Sequence, residues 1–354
     1  MALDRRAQKI NAMRFVLAAL LASFAAIASM NATEPPLLLP TDNDAIFHGG
    51  GEAFYQHIER DYQGAKSTPW QGGQYGFVRD PIETSIGIVY TRFHEGIDIR
   101  PLHRDERGEP LDEIRAIADG KVVHVNPVPG FSNYGKYIVI EHHWDGSNYY
   151  SLYGHLSRID VERGQHVHGG EHIGVMGYTG VGINQERAHL HLELNLMLSR
   201  KFEAWYDHFH KNDPNHHGLY NGINLNGLDI ARFYLAQRDK PSLIVPEFLS
   251  EESTFYKVIL PRSKHFDLPK MYPWMLTQPA EKNPRSWQVS FNQEGMPLKI
   301  EPSEKSVRAP ELSYIKKSPV DYGALTRDIV GGHGDNAHLT PNGVGLMTLL
   351  IYPN

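Results

Sequence analysis

The segment Ala188-His189-Leu190-His191-Leu192-Glu193-Leu194 decides the fold. Polar and apolar residues alternate along it, which is the pattern of a β-strand with one apolar and one polar face. The apolar face predicts that this strand packs on a hydrophobic core. The polar face carries two histidines about 7 Å apart, a spacing that suits one metal ligand and one neighbouring acid–base group. The segment therefore predicts a β-sheet that carries chemistry on one face.

Two stretches further upstream hold additional candidate residues. His94 and Asp98 lie four positions apart around Gly96. An extended strand would hold them roughly 13 Å apart, but a turn at the glycine can bring both side chains to one ion. His155 ends a strand-like run just before a predicted turn. Each feature is weak by itself, because the chain contains 20 histidines.

Two other His-x-His pairs are interpreted as solvated surface. His166 and His168 are followed by two glycines, which predicts the tip of a hairpin. His208 and His210 lie in a polar segment beyond the predicted sheet. Neither pair has the strict alternation of the segment at 188–194.

The chain divides into regions of different texture. Residues from Thr84 to Leu194 form short β-branched runs separated by turns, which is typical of an antiparallel sheet or sandwich. We therefore predict a mainly β protein whose antiparallel β-sheet or sandwich forms a domain at 84–200. Residues 33–83 are predicted to be an irregular N-terminal arm with a short helix near 52–61. Residues 201–245 are predicted to be a connector of helix and loop, with a helix over 228–237. Residues 246–354 are predicted to be a smaller β-rich C-terminal module with strands over 255–260, 287–291 and 344–352.

The first 32 residues have the pattern of a signal peptide. Four basic residues precede or begin an apolar run from Phe15 to Ala28, and this run is shorter than the about 20 residues of a membrane-spanning helix. We expect cleavage after Ala28 or Ala32, export to the periplasm or beyond, and no stable membrane span in the mature chain. A retained anchor and a buried N-terminal helix are the alternatives.

Composition excludes several classes of function. The 354 residues are 41% hydrophobic and 21% charged, which is a globular balance. The formal charge of −6 and the lack of a basic cluster argue against a nucleic-acid partner. Removal of residues 1–28 takes away four basic and one acidic residue, which leaves 31 − 40 = −9. Because the chain has no cysteine, a zinc site must use histidine and carboxylate ligands.

Taken together, these pieces resemble the lysostaphin/LytM-type zinc metallopeptidases over about residues 87–194. That family shares a His-x-x-x-Asp turn, a later Tyr-x-His-Leu-Ser strand end and a terminal His-x-His strand. Further segments occur in the family's order: Gly96-Ile97-Asp98-Ile99, Ala118-Asp119-Gly120-Lys121-Val122 and Gly177-Tyr178-Thr179-Gly180.

The resemblance implies a set of functional residues. One Zn²⁺ per chain would be held by His94, Asp98 and His191, with water in the fourth position, and His155 and His189 would form the catalytic pair. The implied protein is an exported zinc metalloendopeptidase that hydrolyses the peptide cross-links of bacterial peptidoglycan with a zinc-activated water. Its partners would be peptidoglycan stem peptides.

Several alternatives remain open at this stage. The same fold could serve as a catalytically silent regulator or wall-binding module, or as a zinc peptidase acting on other exported peptides. The module at 246–354 could bind a protein regulator, attach to the wall or cover the groove. Glu193 could orient a ligand or lie on the surface, and Tyr90 is a candidate contact for the developing oxyanion. The chain also departs from the family pattern in extra charged residues at 104–109 and a longer approach at 181–188 without proline.

Overall fold

The computed structural model describes residues 36–56, 61–62, 65–66, 69–278 and 284–353. The predicted signal peptide at 1–32 lies outside these residues. The strands are β1 Asp61–Tyr62, β2 Ala65–Lys66, β3 Gly76–Thr84, β4 Gly87–His94, β5 Ile97–Ile99, β6 Glu113–Arg115, β7 Gly120–Asn126, β8 Tyr137–Trp144, β9 Ser147–Gly154, β10 Arg158–Ile159, β11 His166–Val167, β12 His172–Val175, β13 Leu190–Met197, β14 Leu225–Gly227, β15 Tyr256–Pro261, β16 Ser286–Phe291, β17 Pro297–Ser303, β18 Glu311–Ile315, β19 Val330–Gly331 and β20 His338–Leu339. The α-helices are α1 Gly51–Phe54, α2 Phe202–Phe209, α3 Ile230–Asp239, α4 Val245–Ser250, α5 Leu268–Met271, α6 Tyr322–Leu325 and α7 Pro341–Leu349.

A seven-stranded antiparallel sheet forms the centre of the molecule. Six strands follow the order β11-β7-β8-β9-β13-β14, and β5 also pairs with β13. Strands β10, β12 and β6, in that spatial order, form a second sheet of three strands. Strands β3 and β4 form a two-stranded hairpin. The predicted mainly β, antiparallel fold is confirmed.

Strand β13 is buried along its whole length because it has neighbours on both edges and both faces. Leu190, Leu192 and Leu194 are fully inaccessible and belong to the main hydrophobic core. Burial of each leucine contributes about 2 kcal/mol to folding. The alternating polar residues of the same strand are also buried, so their polar atoms must find partners inside the protein.

The pairing register of β13 assembles the candidate residues. His191 is opposite Asp98 in β5 and opposite Gly154 at the end of β9. His155 directly follows Gly154, and His189 forms an isolated bridge with Gly177. The sheet register therefore brings side chains from three separate segments to one place.

The central sheet packs on both of its faces. Ile138 and Ile140 of β8 belong to the main core, whereas the alternate residues Tyr137 and Val139 belong to a smaller cluster on the opposite face. This arrangement explains why the first four residues of β8, Tyr137-Ile138-Val139-Ile140, form a continuous apolar run in the sequence.

The C-terminal region forms a four-stranded antiparallel sheet with the order β17-β16-β15-β18. Its apolar side chains belong to the same continuous core as those of the central sheet. Polar contacts join the two regions as well: the Tyr272 hydroxyl accepts from the Met197 amide at 2.8 Å, and the Asn226 side chain donates to the Gly295 carbonyl at 2.9 Å.

The predictions for individual elements had mixed outcomes. Strands β15 and β16 and helix α3 lie where the sequence predicts them. The predicted strand at 344–352 is wrong, because Pro341–Leu349 is a helix. Thr340 caps that helix by accepting from the Gly343 amide, and Pro341 occupies its first turn. Strand β3 lies inside the segment predicted as an irregular arm.

Candidate metal centre and its cleft

The turn between β4 and β5 depends on a glycine at its centre. A Cβ atom built on Gly96 would lie only 2.3 Å from the Leu192 carbonyl oxygen of β13. Any other residue would push the turn away from the strand. Because the turn lies this close, His94 before it and Asp98 after it both reach the side chain of His191.

Three ligand-type atoms converge at this point. His94 Nε2 lies 3.1 Å from His191 Nδ1 and 3.1 Å from Asp98 Oδ1. The Asp98 oxygen lies 3.0 Å from His191 Nδ1, and all three residues are buried. Among the residues that the structure describes, these three form the group whose ligand atoms could hold a metal ion.

The neighbours of these atoms determine which nitrogens carry hydrogen. His94 Nδ1 lies 2.7 Å from the Gln74 carbonyl, which can only accept, so Nε2 bears the lone pair. His191 Nε2 lies 2.8 Å from the Glu193 carboxylate, which leaves the lone pair on Nδ1. When both rings are neutral, three acceptor atoms face one another, and a proton on His191 Nδ1 or a metal ion between the three atoms offsets their repulsion.

The distances fit a bound metal ion. Tetrahedral zinc ligands about 2.0 Å from the ion lie about 3.3 Å from one another, close to the 3.0–3.1 Å found here. Two imidazoles and one carboxylate suit zinc or a similar transition metal, whereas magnesium and calcium prefer oxygen ligands only.

Arg79 holds the carboxylate of Asp98 from the other side. Its Nη2 lies 2.6 Å from Asp98 Oδ2, and its Nε donates to the Gly72 carbonyl at 2.8 Å. Burial alone would raise the pKa of Asp98, but the neighbouring His189 and His94 rings and the Arg79 guanidinium outweigh burial and hold the pKa well below its usual range. Asp98 is therefore a carboxylate with one oxygen directed to the histidines and the other to the guanidinium.

Glu193 acts on His191 from the opposite side of the ring. It is fully buried, and its second oxygen accepts from Asn195 at 2.9 Å. Burial opposes a charge on the His191 ring, but hydrogen bonds to Asp98 and Glu193 outweigh it and raise the pKa of His191 to about 9. These two carboxylates favour a positive charge beside the ring, which a proton or a metal ion can supply.

His155 and His189 stand next to the three convergent atoms. Their ring centroids are 4.7 Å apart, and His189 Nε2 lies 3.4 Å from Asp98 Oδ1. His155 Nδ1 contacts the Thr179 carbonyl and His189 Nδ1 contacts the Arg187 carbonyl, each at 2.7 Å. Each ring therefore donates through Nδ1, and the neutral form of each ring has its lone pair on Nε2.

Burial keeps His155 uncharged. Desolvation, reinforced by the neighbouring histidines, lowers the pKa of His155 well below its usual value. Its backbone is in the left-handed region with φ 61°, a conformation that is uncommon for residues other than glycine but that asparagine, aspartate and histidine adopt more often than the rest. A neutral imidazole held in this way can accept a proton.

The five residues line one wall of an open cleft of about 870 Å³. Tyr134 also borders this cleft, and its ring centroid lies 5.3 Å from that of His191. Loops at 130–134, 181–187 and 213–223 contribute much of the remaining wall.

The structure thus brings together His94, Asp98, His155, His189 and His191. It places the other candidate pairs apart from them: His166 and His168 are exposed, and the pair at 208–210 lies on and just after helix α2. The sequence analysis did not identify Arg79 or Tyr134. Tyr90 is not among the residues that line the cleft.

The two departures from the family pattern contact each other beside the cleft. Arg104 donates to the Gln185 carbonyl at 2.8 Å, and the Gln185 amide donates to Glu109 at 2.5 Å. The Tyr178 hydroxyl donates to the same Glu109 carboxylate at 3.0 Å. The longer loop at 181–188 is therefore braced by the extra residues at 104–109.

One segment of the chain is similar to known peptidases. Residues 92–202 match the family model of Peptidase family M23, so this segment is a domain of that peptidase family. "Cell division protein DipM" of Caulobacter vibrioides is 32% identical over 117 residues, which are 32% of this chain and 17% of DipM. "Peptidoglycan DD-endopeptidase ShyA" of Vibrio cholerae is 45% identical over 60 residues, which are 17% of this chain and 13% of ShyA.

The solved structures that are similar to this chain include the catalytic domain of the antimicrobial peptidase lysostaphin from Staphylococcus simulans. Its sequence identity is 23% and its TM-score is 0.28, and the match covers 47% of this chain and 96% of that domain. The matched segments span less than a third of the length of the curated relatives.

Proposed function

We propose that this protein is an exported zinc metalloendopeptidase that hydrolyses the peptide cross-links of bacterial peptidoglycan. One observation carries the proposal: His94 Nε2, Asp98 Oδ1 and His191 Nδ1 converge as acceptors, next to two further imidazoles that each keep a lone pair. Three protein ligands with nitrogen and oxygen donors are typical of catalytic zinc sites.

The chain's own groups supply the proton transfers in this proposal. A zinc ion bound by His94, Asp98 and His191 would polarise the peptide carbonyl and lower the pKa of water. The Nε2 atoms of His155 and His189 both have lone pairs directed away from their carbonyl partners. This pair can take one proton from water and return one to the leaving amine.

Arg79 and Glu193 orient two of the groups that would hold the ion. Arg79 keeps Asp98 Oδ2 occupied, so that Oδ1 remains directed to the histidines. Glu193 fixes the His191 tautomer in which Nδ1 bears the lone pair.

The peptidoglycan substrate is proposed from the peptidase domain and the cleft. The chain contains a domain of a peptidase family, and ShyA is named as a peptidoglycan endopeptidase. The cleft of about 870 Å³ is open to solvent, so a peptide segment of a larger polymer can enter it.

Export is proposed from the pattern of residues 1–32. None of the helices in the described part of the chain has the length and apolar character needed to cross a bilayer. Sequencing the N-terminus of the protein recovered from the periplasm or medium tests export, because a cleaved signal would leave a chain that begins near residue 29 or 33.

The enzymatic proposal is tested by digestion of purified peptidoglycan with the zinc-loaded protein. We expect cleavage of cross-linked muropeptides, observed by liquid chromatography and mass spectrometry. Two variants leave the three proposed ligands in place: His155→Asn, in which asparagine tolerates the left-handed backbone, and His189→Gln. Both variants should bind about one zinc per chain, but their rate of muropeptide cleavage should fall at least about 100-fold. His166→Gln is the matched surface control and should retain full activity.

Two other outcomes would contradict the proposed substrate or activity. Degradation of an unfolded protein without cleavage of peptidoglycan would indicate a peptidase for other exported peptides. A zinc-loaded protein that cleaves neither material would indicate a silent regulator or binding module.

A further inference from the structure

A second groove lies between the peptidase domain and the C-terminal module. It has a volume of about 440 Å³ and is lined by residues from both regions. Glu95, Tyr134, Gly222 and Ile223 border this groove and the catalytic cleft alike. The two cavities therefore meet beside the candidate metal centre.

Polar and apolar side chains both line this groove, and its apolar side chains come from two regions of the molecule. Leu198 and Leu225 come from the region of the central sheet, and Ile329 and Leu346 come from the C-terminal module. Phe209 at the edge is about half exposed. A ligand can therefore gain from burial of apolar groups here.

Arg327 of the C-terminal module places a positive charge at this junction. Its guanidinium carbon lies 4.6 Å from the centre of the Phe93 ring, and its Nη2 lies 3.5 Å from Glu95 Oε1. About a third of the side chain is exposed. The long contact to Glu95 engages one nitrogen of a guanidinium that has five N–H donors.

The backbone that carries this arginine is held in an unfavourable conformation. Arg327 and Asp328 both have φ 57°, which is rare for two consecutive residues other than glycine. Asn342 donates to the Arg327 carbonyl, and Thr340 donates to the Asp328 carbonyl. Surrounding contacts thus maintain the conformation that directs the guanidinium to the groove.

We propose that the groove is a substrate subsite in which Arg327 binds a free carboxylate of the peptide whose neighbouring bond is cleaved in the catalytic cleft. The planar guanidinium matches a carboxylate with two parallel hydrogen bonds, and partial burial strengthens them. This inference rests on the proposed function and deepens it, because stem peptides carry carboxyl groups outside their cross-link bonds. It also assigns a role in substrate selection to the module at 246–354.

The test uses a cross-linked stem-peptide dimer in which the cross-link amide is replaced by a –CH₂–NH– linkage. The zinc-loaded full chain is titrated with this probe by calorimetry, with all carboxyl groups free and then with each one amidated in turn. We expect one particular amidation to weaken binding by about tenfold. In Arg327→Gln that difference should vanish, and Arg327→Lys should restore part of it.

Arg232→Gln is the matched control. Arg232 also lies over a ring, 4.5 Å from the centre of Phe248, and also pairs with a glutamate, Glu252. It borders a separate cavity that shares no lining residue with the two grooves. We expect this variant to keep the full carboxylate preference.

Two results would overturn the subsite. One is a wild-type protein that binds every amidated probe equally well. The other is an Arg327→Gln variant that loses affinity for all probes by the same factor, because that would show only a structural role for the pair with Glu95. Binding of the probes and cleavage of peptidoglycan are measured separately. A carboxylate preference without any hydrolysis of peptidoglycan would refute the proposed function alone. Hydrolysis of peptidoglycan without the carboxylate preference would refute the subsite alone.

Discussion

Two His-x-His pairs of this chain have the same sequence pattern but differ in their burial and in the residues that they contact. His189 and His191 are each 4% exposed, and they contact the other candidate residues of the cleft. His166 and His168 are exposed, with 87% of the His168 side chain accessible to solvent. The same spacing of the same residue type therefore has no fixed meaning.

The neighbouring strands account for the difference. Strand β13 has β5 on one edge and β9 on the other, so His191 is enclosed by both. Strand β11 has two residues, pairs with β7 and forms the edge of the sheet among the described strands. Chemistry at a histidine pair depends on the strands that bring acceptor atoms to it, and the pair alone is insufficient.

The largest expected difference between the two pairs is in metal binding. His191→Ala removes Nδ1 from the set of three convergent atoms and should abolish stoichiometric zinc binding. His168→Ala should leave about one zinc per chain. Plasma mass spectrometry of the dialysed variants measures this content. Equal zinc in both variants would show that the metal binds elsewhere.

The difference between buried and exposed histidines also predicts how the stability of the fold depends on pH. His142 is fully buried, with Nδ1 2.8 Å from the Asp119 carbonyl and Nε2 2.8 Å from Ser151 Oγ. Burial lowers the pKa of His142 to about 4. Between pH 6.5 and 4 the unfolded chain takes up a proton at this position that the folded chain does not, so stability falls as the pH is lowered through this window. The loss from this residue should reach about 3 kcal/mol.

The adjacent residue His143 supplies the control for this effect, because its side chain is exposed. His142→Gln should reduce the acid dependence of the unfolding free energy by nearly one proton, whereas His143→Gln should leave it as in the wild type. Urea unfolding at a series of pH values from 7 to 4.5 measures both slopes. The burial argument fails if the two variants have the same slope as the wild type.

The part of the site that lies on β13 could be predicted because alternation with a period of two reports directly on the two faces of a strand. His94, Asp98 and His155 could be predicted only as weak local patterns, which the resemblance to a family joined into one site. Their proximity depends on sheet register, which has no local signature in any of the three segments.

Other parts of the molecule could not be predicted in this way. Arg79 lies in a segment without clear periodicity, and its contact with Asp98 arises from the packing of the β3–β4 hairpin. The apolar run at 344–352 fits a strand or a buried helix equally well. Thr340-Pro341 was the available signal for a helix start, as a capping residue followed by proline in the first turn.

The carboxylates that lie near the two His-x-His pairs should differ in their effect on zinc affinity, and this difference should be smaller than those described above. Glu193 lies 2.8 Å from His191 Nε2 and is fully buried, whereas Glu171 accepts only from the backbone amide of His168 at 2.9 Å. Glu193→Gln preserves the size of the side chain but removes the charge that makes the His191 ring more basic. Zinc affinity should therefore fall about 10- to 100-fold, and Glu171→Gln should not change it. Competition with a chromophoric chelator at pH 7.5 measures both affinities. Unchanged zinc affinity in Glu193→Gln would mean that the position of the ring depends on strand pairing alone, and that burial of the histidine rather than its carboxylate partner distinguishes the two pairs.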